Sequence, residues 1–159
     1  MRRLLLLVVA LPLVAACGRS EGAAIVARAQ DGLRRLDDSP VQVRVSVETP
    51  VRIRRHFDLR ASELPLQKIE LTRWTRHVHR IACARDLDCA RADVDVEAVL
   101  AAFRPLLSEL PVDPHKIRSA QVDVAVEKSG RLAYLHVHGH LQAALLLEVP
   151  FEADLDVRH

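Results

Sequence analysis

The sequence predicts an α+β fold: a curved, half-barrel-like antiparallel sheet of about six strands, with an N-terminal helix and a central kinked helix on its apolar face. Two observations carry this. The spacing of apolar residues switches from a helical period to a period of two, back to helical, and again to two. The period-two segments are also apolar on one face only, which requires antiparallel pairing and a single covering layer. Of 159 residues, 50% are hydrophobic and 28% charged, with only 5 Gly and 8 Pro, so the chain can build a core and is neither disordered nor collagen-like.

The chain opens with a basic stretch, Met1-Arg2-Arg3, and an apolar run from Leu4 to Val14 interrupted by Pro12. A bilayer span needs about 20 residues, so this run is too short and matches the hydrophobic part of a secretory signal. Residues 1–16 are therefore expected to be a signal peptide and residues 17–159 a single mature domain. Removing Arg2 and Arg3 takes Lys+Arg from 23 to 21, equal to the 21 Asp+Glu, so the mature chain has no formal net charge. Global basicity is thus no route to nucleic acid.

Within the mature chain, Ile25, Val26, Ala29, Leu33 and Leu36 recur at helical steps, so residues 22–37 are expected to form an amphipathic helix ending near Asp37-Asp38-Ser39-Pro40. From Val41 the apolar residues Val41, Val43, Val45 and Val47 alternate with Gln42, Arg44, Ser46 and Glu48, a half-buried strand. After Thr49-Pro50, Val51, Ile53, Phe57 and Leu59 oppose Arg52, Arg54, His56, Asp58 and Arg60, and Arg55 breaks the apolar side. Residues 66–82 read as a third extended stretch around Trp74, Val78 and Ile81.

Cys83 and Cys89 flank a short Asp-containing loop, and outside the cytoplasm they are expected to form a structural disulfide. A metal or redox pair is the rival; the CxxC spacing is absent. Val96, Val99, Leu100, Phe103, Leu107 and Leu110 then mark a helix, with Asp93 or Asp95 suited to cap it and Pro105 to kink it. Beyond Pro111 and Pro114, Val122, Val124 and Val126 alternate, and Lys128-Ser129-Gly130 supplies a hairpin turn. A long strand run follows from Arg131 to Val149, and a last strand from Phe151 to Val157 after Pro150.

The N-terminal segment Val14-Ala15-Ala16-Cys17-Gly18 resembles the lipobox of bacterial lipoproteins. That resemblance implies cleavage before Cys17 and acylation of this cysteine with two or three chains, enough for durable anchoring. It places the domain in the cell envelope, tethered to a membrane and facing the periplasm or cell exterior. The element order, with the hairpin VDVAVEKSGRLAYLHVHG, resembles the LolA/LolB and LppX/LprG lipid-carrying lipoproteins. Their likeness implies a sheet wrapped around a helical lid and a lipid ligand. The mature chain has few aromatics, and its Leu, Val and Ala could line an acyl-chain cavity or fill a solid core.

His136, His138 and His140 alternate along one strand and share its polar face, and His77 and His79 repeat the spacing. Such pairs can bind zinc or copper when a neighbouring strand adds a ligand; the alternative is a solvated outer face. Charge is segregated: residues 41–60 hold five Arg against Glu48 and Asp58, while the C-terminal strand is acidic. These strands could meet anionic headgroups or an acidic envelope protein, or pair with one another across the sheet. No GxSxG, P-loop, GxGxxG, HExxH or EF-hand pattern occurs, so neither an enzyme nor a cofactor is expected, and no metal site is assigned. The expectation is a non-enzymatic lipoprotein binding a lipid or other apolar ligand. An adaptor for an envelope protein and a histidine-based metal binder are the alternatives.

Overall fold

The computed structural model describes residues 21–48, 53–99, 116–144 and 147–158. Cys17, most of the central kinked helix and the expected breaks at Thr49-Pro50 and Pro114 lie outside them. Helix α1 spans residues 21–34, followed by β1 (Pro40–Val47) and β2 (Ile53–Arg60). Two 3-10 turns, Ala61–Glu63 and Leu66–Lys68, and the single-turn helix α2 (Leu71–Trp74) lead into β3 (Thr75–Ile81). Then come β4 (Leu87–Val94), a helical turn at residues 96–99, β5 (Ile117–Glu127), β6 (Leu132–Ala144) and β7 (Leu147–Val157).

All strands join one curved antiparallel sheet in the order β2-β1-β7-β6-β5-β4-β3. β2 and β3 form opposite edges, so the sheet is open and is not a closed barrel. Hairpin β1–β2 sits at one side, and β3 to β7 run as a meander back to it. Residues 61–74 therefore cross from one edge to the other, and they do so over the apolar face. Ala61, Leu66, Leu71 and Trp74 are buried there with Ile25, Val26, Ala29, Leu33 and Leu36 of α1. Beneath them lie Ala90 and Ala92 of β4, Val122, Val124 and Val126 of β5, and Leu132 and Leu135 of β6.

One buried amide ties this cover together. Gln30 of α1 is only 4% exposed. Its Nε2 donates to the Ile69 carbonyl at 2.8 Å, and its Oε1 accepts from the Leu71 backbone N–H at 2.5 Å. Both ends of a costly buried polar group are thereby satisfied, and the crossing segment is fixed to the helix. Gly32 lets α1 approach β6 closely, since a Cβ there would meet Leu132 at 3.0 Å. Gly130 at φ +87° makes the β5–β6 turn, as the Lys128-Ser129-Gly130 signal predicts.

The structure corrects the expected architecture at three points. The sheet has seven strands rather than about six, because β4 has an inward side of Ala90 and Ala92, too small to mark an apolar stripe. The extended stretch over residues 66–82 is strand only from Thr75, since Leu66, Ile69, Leu71 and Trp74 turn inward over the sheet. The last strand begins at Leu147 rather than after Pro150, which sits inside β7. Pro150 is tolerated because its carbonyl accepts from Glu48 N–H at 2.9 Å. Its missing donor therefore faces the β1 side, beyond the last β1–β7 pair, Val47 with Phe151. Among the described residues the apolar face is covered by α1 and the crossing segment. Of the expected central helix only residues 96–99 are described, with Asp95 Oδ1 accepting from Ala98 N–H at 3.2 Å as its cap.

Cys83 and Cys89 are joined by a disulfide, with Cα atoms 6.1 Å apart, closing the β3–β4 connection onto β4. Replacing Cys83 with Ser should lower stability by about 2 kcal/mol, the loop-closure entropy of so short a ring. Replacing Gln30 with Leu should cost about 3 kcal/mol, since it leaves a buried N–H and a carbonyl unsatisfied. Urea unfolding of the full chain checks both, and an unchanged Gln30→Leu midpoint would remove this amide from its anchoring role.

Candidate functional site

The alternation of the strands sorts the side chains onto two faces, and each is a candidate surface. The outer face carries two polar rows that run across all seven strands. One row is His56, Arg44, Asp154, His136, Asp123, Arg91 and His79, from β2 to β3. The next is Arg54, Ser46, Glu152, His138, Gln121, Asp93 and Arg76. In the first row each carboxylate stands between two basic groups: Asp154 between Arg44 and His136, Asp123 between His136 and Arg91.

These neighbours make contact. Arg91 donates from Nε and Nη2 to the two carboxylate oxygens of Asp123, each at 2.7 Å. Arg44 bonds Asp156 at 2.7 Å and approaches Asp154 at 3.5 Å, while His136 Nδ1 bonds Asp154. His77 Nδ1 meets Asp93 at 2.9 Å, and Gln121 Nε2 donates to Asp93 at 2.8 Å. Arg44 of β1 thus pairs with Asp154 and Asp156 of the acidic strand β7, as one of the sequence expectations has it.

The histidines are accordingly divided. His136, His138 and His140 share the outer face of β6, but β5 and β4 separate them from His77 and His79 on β3. The five do not converge, and among the described residues no group of three or more His, Cys, Asp or Glu side chains gathers to hold a metal. His138 is distinct from the rest. Gln121 is oriented by its bond to Asp93, so its Oε1 accepts from His138 Nε2–H at 3.2 Å. The proton is then on Nε2, and the buried Nδ1 lone pair has no partner. Two depressions on the outer face meet at His138, Gly139 and His140.

Electrostatics follow from this geometry. Burial works to raise the Asp123 carboxyl, and the Arg91 hydrogen bonds and charge more than reverse it, so it sits below the usual carboxylate range. Asp93 is lowered by the hydrogen bonds from Gln121 and His77, and Asp88 by the one from Arg28, a 2.8 Å pair. Burial pushes the His138 imidazole down, against the opposing charge of Asp123. The Arg91–Asp123 pair is absent from the sequence reading, because Arg91 lies on the one strand that the reading missed. Ala90 and Ala92 do alternate with Arg91 and Asp93, but residues so small give only a weak strand signal.

The described residues cover the inner face unevenly. Its β4–β6 portion lies under α1 and the crossing segment, and Val41, Leu59, Leu155 and Val157 extend the packed region toward the other edge. Val43, Val45 and Val47 of β1 and Phe151 and Ala153 of β7 are only half-buried. Phe57 of β2 is 45% exposed and Leu147 of β7 is 52% exposed. Arg55 is exposed on this same face, paired in register with Val45.

The His138 shift fixes the sign of a pH effect. Its folded-state pKa is below the unfolded value of about 6.5, so the unfolded chain takes up the proton first. The stability it contributes is present above that value and is lost as pH falls toward the folded pKa. Urea midpoints at pH 7.5 and 5.5 should therefore fall less in His138→Gln than in the parent chain, and an identical fall in both would refute the assignment. No family model and no curated protein sequence matches this chain.

Proposed function

We propose that the protein is a non-enzymatic envelope lipoprotein, tethered to a membrane through acylated Cys17, whose domain binds a lipid or other apolar ligand on the uncovered part of its inner face. The observation that carries this reading is the uneven cover. A sheet of this kind buries its apolar side when it serves only as a core. Here the β2–β1–β7 side keeps Val43, Val45, Phe57, Phe151 and Ala153 partly open to solvent. An exposed apolar surface gathered on one face is a feature of ligand-binding sites. In this reading the open, curved sheet acts as a half-barrel, with α1 and the crossing segment as its partial cover.

A lipid anchor fits the same picture. No helix among the described residues is long and apolar enough to cross a membrane. Membrane attachment would rest on the acyl chains at Cys17, two of which hold where one does not. The domain would then face the periplasm or the cell exterior, consistent with the Cys83–Cys89 disulfide. A second reading, an adaptor for an envelope protein, is favoured by the outer face, where charged rows border the depressions at His138 and His140.

Mass spectrometry of the full chain purified from membranes tests both parts. Acyl mass on Cys17 is expected, together with noncovalently retained lipid. Cys17→Ser should release the protein from membranes and remove the covalent acyl mass. An intact original amino terminus overturns the anchor, and a protein that retains no lipid leaves the adaptor reading in its place.

A further inference from the structure

We infer that the apolar ligand of the inner face carries an anionic headgroup, and that Arg55 binds it; this inference rests on the proposed lipid-binding function. Arg55 is the one charged residue that interrupts the apolar side of β2. Its register partner is Val45, and the next pair on the same face is Phe57 with Val43. The outer-face positions of the strand are taken by His56 and Asp58, both of which contact Gln42. The Arg55 side chain therefore leaves the edge strand from the inner side, two residues before the 45% exposed Phe57.

Elsewhere several cations at the sheet are matched, whereas Arg54 and Arg118, like Arg55, contact no carboxylate among the described residues. Arg44 has Asp154 and Asp156, Arg91 has Asp123, and Arg158 has Asp58. Arg55 has no carboxylate partner among the described residues. A planar, permanently charged donor fork at the margin of an apolar surface matches a carboxylate or phosphate. From Arg55 the inner-face row continues as Val45 on β1 and Ala153 on β7, then Val137 on β6. Ala153 is small and lies between Phe151 and Leu155 on the same side of its strand, so the row is a shallow aliphatic path. An amphiphile would set its anionic head at the β2 edge, where it stays in contact with water. Its chain would lie across β1 and β7, on the half-buried surface that α1 and the crossing segment leave open. The positive charge is suited to that edge because only the headgroup there needs neutralising, while the chain gains from apolar contact alone.

The test uses the full anchored chain, released from detergent micelles in native mass spectrometry, with palmitate and hexadecanol as probes of equal chain length. Palmitate should be retained about tenfold over hexadecanol, the low end expected of a charge-assisted hydrogen bond. Arg55→Gln should abolish this preference by lowering palmitate alone, and Arg55→Lys should keep part of it. Because Arg55 is exposed and without a carboxylate partner, Arg55→Gln should leave the urea midpoint unchanged. Equal retention of both probes by the parent chain, or a preference that survives Arg55→Gln, overturns the headgroup assignment while leaving apolar binding standing. Retention of neither probe overturns the lipid-binding reading itself.

Discussion

The chain must travel from one edge of a seven-stranded sheet to the other between β2 and β3, and much of the rest follows from how it does so. Six spacings of about 4.8 Å put those edges about 29 Å apart along the sheet. Residues 61–74 cover that distance with short helical turns linked by extended residues at Leu64 and Ile69. A backbone laid over an apolar face needs partners for its own polar groups. Gln30 supplies two of them from α1, so helix and crossing segment form one unit. That unit sits over β4, β5 and β6, and its position decides which part of the inner face is packed and which part stays open.

The two faces solve different problems. Seven strands bring many charges onto the outer face, and unlike charges opposite each other stabilise a sheet by a few tenths of a kcal/mol, up to about 1 kcal/mol, per pair. Exposed pairs of this kind contribute little individually. The Arg91–Asp123 pair is the exception, because the Asp123 side chain is only 12% exposed and accepts two hydrogen bonds from one planar guanidinium. Removing Arg91 would strand the desolvated carboxylate of Asp123. Beside it, the Nδ1 of His138 is the buried side-chain atom left without a partner among the described residues.

Where side chains are large and regularly spaced, the sequence is a sound guide to this fold. α1, β1, β2 and the β5–β6 hairpin appear where the valine and leucine periods put them, and Gly130 turns where its lack of a Cβ permits. The reading weakens where packing replaces size. Ala90 and Ala92 are buried, yet no apolar count distinguishes them from loop alanines. The crossing segment mixes steps of two and three between Leu66, Ile69, Leu71 and Trp74, a pattern of neither helix nor strand. Pro150 reads as a break because strand position depends on which neighbour its missing donor faces, and that is a property of the sheet. The histidines illustrate the same limit: their common face on β6 is legible from spacing, whereas their separation from His77 and His79 depends on strand order alone.

The interruption at Arg55 gains its meaning from strand pairing. In the sequence it is a blemish in an alternating strand, equally consistent with a register slip that would turn Phe57 outward. The register excludes a slip: Val43 faces Phe57 and Val41 faces Leu59, so Arg55 stays on the inner side with them. An edge strand tolerates such a residue because its guanidinium can reach water past the last strand, as a central strand would not allow. The same placement leaves the charge free to meet an incoming group. A cation that served only to keep the edge from pairing with another copy would do so equally well from the outer face, where Arg54 already lies in the polar row. Its position beside Phe57 and Val45 therefore joins charge to apolar surface at one margin of the sheet, and that conjunction is what an amphiphilic ligand requires.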